Sequence, residues 1–166
     1  MSDSSLKCSQ CGSLHPLDEM ELSFKRPDPI AELSEEDRKL KVNESDDLCT
    51  IEWKRYFVRA VLPLQVPESE YTYQIGAWVE IDENAFQIVR DNWDNPDQEQ
   101  IPPFDAKLAN EIPLVISTLG LEVQLQLTGP TTRPAINLNR SSHPLYYEQL
   151  DGISAHRAFE YTRYFL

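Results

Sequence analysis

The chain has 166 residues, 40% of them hydrophobic and 10% aromatic; that is enough to bury a core without disulfides and argues against a disordered chain. Fifteen basic residues face 28 acidic ones, a formal net charge of −13, and such a field repels nucleic acid and anionic lipid unless cations are segregated. No apolar run reaches the roughly 18 residues of a membrane helix, and Met1-Ser2-Asp3-Ser4-Ser5 lacks the basic and apolar regions of a secretion signal. The expected compartment is therefore the cytoplasm, with neither membrane nor nucleic acid as a partner. Residues 1–166 read as one domain, with a knuckle segment at 6–27 packed on it.

After that knuckle and a short extended stretch, Pro29 to Leu33 can start a helix, and Ser34 caps the acidic turn Glu35-Glu36-Asp37 of a helix ending near Val42. The positive run Arg38-Lys39-Leu40-Lys41 follows those acids directly and reads as a solvated face of mixed charge. Leu48 to Ile51 and Tyr56 to Leu62 are short apolar runs around the polar turn 52–55, which predicts a hairpin. From Tyr71 to Asp82, residues Tyr71, Tyr73, Ile75, Ala77, Val79 and Ile81 alternate onto one face. Leu121, Val123, Leu125 and Leu127 do the same over 121–128, and period 2 over such lengths predicts half-buried antiparallel strands. Ala135 to Leu138 adds one more.

Helices frame these strands. Asp82 caps a helix over 83–93, Pro144 to Leu150 forms a short helix ended by Gly152, and Ser154 caps a last helix with a stripe of Ala155, Ala158, Phe159, Thr162, Phe165 and Leu166. The predicted fold class is α+β, an antiparallel sheet with flanking helices and an N-terminal Cys/His knuckle.

Cys8-Ser9-Gln10-Cys11-Gly12 is the sharpest local signal. Two thiolates separated by two residues bind one metal while the chain turns around it, and the glycine frees the backbone to aim amides at the sulfurs. His15 is near enough to be a third ligand, and Cys49 or His143 is a fourth brought in by the fold. Three cysteines is an odd number, which a disulfide framework does not explain in a reducing compartment. Closed coordination of zinc makes a structural staple, whereas an open position would mean hydrolytic chemistry. Neither His-Glu-x-x-His nor the deaminase pattern is present. No phosphate-binding glycine loop or nucleophile elbow is found either, so the reading leans away from an enzyme. Arg133-Pro134 and Ser142-His143-Pro144-Leu145 form a second polar cluster. With Gln149 and Trp78, Arg133 and His143 are candidate pocket residues. The competing reading makes Ser142 and His143 donors' partners at a helix start.

An ordered set of short motifs resembles the bacterial domain-of-unknown-function family 2199. It comprises Cys8-x-x-Cys11-Gly12 with His15, Asp47-Leu48-Cys49, Phe57-Val58-Arg59, Gly76-Ala77-Trp78-Val79, Pro102-Pro103-Phe104, Thr118-Leu119-Gly120-Leu121, Arg133-Pro134, His143-Pro144-Leu145 with Gln149, and Gly152-Ile153. Ala60 stands where that family has glycine, and Ala106-Lys107 where it tends to have Gly-Trp. The resemblance implies one domain with a Cys/His grouping and supplies no reaction. The expected function is a cytoplasmic binding or accessory domain with a structural zinc. The alternatives are an acidic immunity-type inhibitor of a basic protein partner and an enzyme with a pocket around Arg133 and His143.

Overall fold

A computed structural model describes residues 21–164 together with the short strands at 5–7 and 14–16. Cys8 and Cys11 of the expected knuckle lie outside the described residues, as does the side chain of His15.

Strands β1 (Ser5–Lys7) and β2 (Leu14–Pro16) pair antiparallel as a separate two-stranded sheet. Helices α1 (Asp28–Ala31) and α2 (Glu35–Lys41) follow, and the Ser34 side chain accepts from the Asp37 amide as the sequence predicts. The main sheet contains β3 (Val42–Glu44), β4 (Leu48–Ile51), β5 (Arg55–Val66), β6 (Tyr71–Ile81), β7 (Phe104–Leu108), β8 (Glu122–Gln126) and β9 (Ala135–Leu138). Helix α3 (Glu83–Asp91) follows β6, and α4 (Pro144–Asp151) and α5 (Ala155–Arg163) close the chain.

Each strand of the main sheet pairs antiparallel with the next, and β9 also meets β5, in parallel, at Val61–Ala135. The architecture is α+β, but β5 to β9 form a five-stranded barrel extended by β3 and β4, which corrects the expected simple antiparallel sheet with flanking helices. Parity explains the parallel seam: in an up-and-down series of five strands the first and fifth run the same way, so closing the series must pair them in parallel. The twelve residues of β5 make closure possible. Its first half pairs β4, and its second half reaches β9 along the same edge.

The period-2 faces identified over 71–82 and 121–128 join the alternate residues of β5 in the barrel interior. Val58, Ala60, Leu62, Leu64 and Val66 of β5 face Tyr73, Ile75, Ala77 and Val79 of β6, joined by Val123, Leu125 and Ile136. Ala60 lies opposite Ala77 in register, and such alternation of small with large side chains lets a narrow barrel fill. Phe86 and Val89 of α3 and Leu145, Ala158 and Tyr161 of α4 and α5 belong to the same core. On the outer face Phe57 and Trp78 join Ile30, Cys49 and Ala109 in a second apolar cluster.

Two glycines are required by close approach. At Gly76 a Cβ would lie 2.9 Å from the Ser23 Cβ, where residues 22–24 run beside β6 and exchange backbone hydrogen bonds with Gly76. At Gly152, which joins α4 to α5 with φ +86°, a Cβ would lie 2.9 Å from the Gln65 carbonyl, the acceptor of the Ile153 amide.

Candidate functional site

Among the described residues, those selected from the sequence do not converge on one pocket. Cys49 is buried in the second cluster with Ile30, Phe57, Trp78 and Ala109, and that burial, reinforced by Glu44, pushes its thiol up to about 12. It is a packed thiol in this environment, whereas β2, which carries His15, lies against α5. Among the described residues no group of three or more His, Cys, Asp or Glu is placed to hold a metal ion.

His143 is the N-cap of α4. Its Nδ1 accepts from the Leu145 amide at 3.0 Å and its Nε2 lies 2.6 Å from the Ile116 carbonyl. Accepting at Nδ1 fixes the tautomer with the proton on Nε2, which donates to Ile116. Both nitrogens are thereby spent on the chain's own backbone. Trp78 is buried, and its indole donates to the Phe24 carbonyl at 3.0 Å. Gln149 bridges the barrel seam: Oε1 accepts from the Leu138 amide at 2.8 Å, and Nε2 donates to the Ile136 carbonyl at 2.9 Å and the Pro63 carbonyl at 3.4 Å. Arg133 lines an outer cleft with Val61, Pro63, Gln74 and Ala135 and faces Asp47 at 3.9 Å. Arg133 and His143 share neither a cleft nor a hydrogen-bond partner.

His143 leads instead to the connection between β7 and β8. Residues 109–121 form a long loop whose neck is closed by backbone bonds from Gly120 to Leu108 and from Leu108 to Leu121. Buried Asn110 and Thr118 and exposed Glu111 tie it down. Asn110 accepts from the Trp78 amide and donates to the Arg26 carbonyl and to Asp28. The hydroxyl of Thr118 accepts from the Ile112 amide at 2.6 Å and donates to the Asn110 carbonyl at 3.0 Å. The Glu111 carboxylate accepts from the Thr118 and Leu119 amides at 2.8 and 3.2 Å. From the other side the Arg157 guanidinium donates to the Leu114 carbonyl at 3.1 Å.

Arg157 is itself fixed. It pairs with Glu148 at 2.7 Å, lies 5.0 Å from the Tyr161 ring centre, and Tyr161 donates to the other oxygen of Glu148 at 2.6 Å. Burial first, then the Glu148 carboxylate, pushes the Tyr161 phenol above its ordinary range, so it remains a neutral donor. Against these anchors the loop holds Leu114 and Ser117 at φ +70° and +57°, conformations that disfavour side chains other than glycine. Leu114, Ile116 and Leu119 are exposed, Ile116 to 78%. The arrangement is suited to presenting aliphatic side chains on a held backbone, and its titratable groups are occupied in holding it.

Asn110, Glu111 and Arg157 were missed in the sequence: Asn110 and Arg157 work through partners distant along the chain, and Glu111 bonds amides within its own loop, which leaves no periodic pattern. The usable signal was the span itself, since a connection this long without its own strand or helix is uncommon in a compact fold unless it serves a purpose.

A family model described as an uncharacterised protein conserved in bacteria (DUF2199) matches residues 7–153. The chain belongs to this family. No curated protein and no solved structure matches it.

Proposed function

We propose that this member of the bacterial family DUF2199 is a binding domain that recognises a protein partner through the 109–121 loop. The observation that supports this reading is the combination, in one loop, of left-handed strain at Leu114 and Ser117, anchoring by His143, Arg157, Glu111 and Thr118, and three exposed aliphatic side chains. Strain persists where surrounding structure over-determines it, and ordering the loop before contact removes an entropic cost of association. The partner in this reading offers an apolar pocket for Ile116, with a basic rim that complements the chain's charge of −13.

Leu40 supplies a matched control, being 77% exposed against 78% for Ile116 but on α2, away from the loop. A photo-reactive residue placed at 116 is expected to give one discrete cross-linked species in the native cell, and the same residue at 40 none. Identical patterns from both positions, or none from 116, refute the reading.

A structural zinc is a second proposal, resting on the Cys8-x-x-Cys11-Gly12 spacing with His15. Zinc held by thiolates would staple the N-terminal segment rather than perform chemistry. Elemental analysis of the untagged protein is expected to find about one zinc per chain, lost in C8S/C11S; absence of metal after growth in zinc-supplemented medium would overturn it.

A further inference from the structure

A second candidate surface shares no lining residue with the 109–121 loop. The β3–β4 hairpin projects beyond the barrel toward α3, and between them is a cleft of ≈ 300 Å³ lined by Asn43, Leu48, Thr50, Trp53, Phe86 and Arg90, among others. That volume is at the lower end of small-molecule sites.

Three observations about its walls need a common explanation. Trp53 is 55% exposed and occupies, with Glu52, the two central positions of the β4–β5 turn, at φ +54° and +51°. Such a turn favours Asn-Gly, and a tryptophan there is held against both backbone preference and burial. Its carbonyl is fixed by the Tyr56 hydroxyl. Thr50 is 2% exposed, yet its hydroxyl has no hydrogen-bond partner among the described residues, although buried polar groups are normally satisfied. Arg90, exposed in the last turn of α3, has no carboxylate within ion-pair distance among the described residues. Glu44, which also lines the cleft, is already engaged by Arg26 through three bonds of 3.0, 3.1 and 3.3 Å.

We propose that this cleft binds a small planar aromatic anion, with Trp53 as its stacking surface, Leu48 and Phe86 as its apolar floor and Arg90 as the partner of its carboxylate. An aromatic face suits the indole. The free guanidinium selects the sign of the charge, because it binds a carboxylate through paired N–H donors and repels an ammonium. Thr50 supplies a hydroxyl at the floor for a polar substituent.

The test uses the full chain and three probes with one ring system: 2-naphthoate, 2-naphthalenemethanol and 2-naphthylmethylamine. Calorimetry gives the affinities, and the indole N–H resonances of the three tryptophans locate the site. The expected result is saturable binding of 2-naphthoate with Kd below about 1 mM, at least about tenfold tighter than the alcohol or the amine, with the Trp53 resonance shifted. R90Q should weaken the carboxylate about tenfold and leave the alcohol unchanged. W53G, which suits the left-handed turn and therefore folds, should abolish binding of the carboxylate. Equal affinity for the three probes, an R90Q protein that binds 2-naphthoate as well as the parent, shifts confined to Trp78 or Trp93, or no saturable binding overturns the proposal.

Discussion

Gln149 does with one side chain what additional strand pairing would do elsewhere. Odd-numbered residues of β5 direct their backbone groups toward β4 and β9, as the Arg59-to-Asp47 and Val61-to-Pro134 bonds show. Pro63 falls in that series just past the Val61–Ala135 contact, where no amide donor is required, which is where a proline is tolerated in a strand. Gln149 fills the gap by bonding Pro63, Ile136 and Leu138. Replacing it with leucine leaves these groups unpaired at the seam, and Q149L is expected to lower stability by about 2–3 kcal/mol in urea titrations; an unchanged midpoint would refute the staple. Thr50 works in the opposite sense. Its hydroxyl has no partner among the described residues, so T50V is expected to stabilise the free protein by about 1 kcal/mol, read as a higher urea midpoint.

Tyr161 links residue chemistry to pH. Its phenol is held above the ordinary 10.0, by burial first and by the Glu148 carboxylate next. As pH passes 10 the unfolded chain releases a proton that the folded chain retains, so stability declines with rising pH, by at most about 1.4 kcal/mol per unit from this group. Y161F has no such proton. At pH 7 it is expected to be less stable than the parent by about 1–2 kcal/mol, through loss of the bond to Glu148. The difference should narrow above pH 10. Parallel stability curves from pH 8 to 11 would contradict this account.

At the scale of elements, the β4–β5 turn trades stability for exposure of Trp53. E52N/W53G matches the residue preference of a turn with two positive φ values, and a gain of about 1–2 kcal/mol is expected on thermal or urea unfolding. Loss of stability would show that the indole is structural. The elements legible in the sequence were those with a long or capped local pattern, β6 with eleven residues, α3 behind the Asp82 cap and α5 behind the Ser154 cap, and the short apolar runs of β4 and β9 between polar turns. The missed strands are short. β3 has three residues continuing directly from α2, and β7 has five beginning just after Pro102-Pro103. Neither gives enough alternation to stand out from loop.

For the whole molecule, closure was illegible because it depends on one parallel contact between β5 and β9, which leaves no period or turn signature in either strand. The candidate site was legible in fragments. His143-Pro144-Leu145 and Gln149 stand out in the sequence as candidate ligand or pocket residues, but the hydrogen bonds to Ile116 and Pro63 that they make in the structure join residues far apart in the chain. The Trp53 cleft was hidden for a similar reason: Glu52-Trp53-Lys54-Arg55 reads as a polar turn until α3 is placed beside it.

The proposed role of the loop in binding requires that it be held in place before any partner arrives. Amide hydrogen exchange of the free protein tests this most directly. The Ile112, Thr118 and Leu119 amides, bonded to Thr118 and Glu111 side chains, should exchange within about tenfold of the β5 core amides, as a loop opening only with its scaffold requires. Exchange of these three amides at the rate of an unstructured peptide would contradict it.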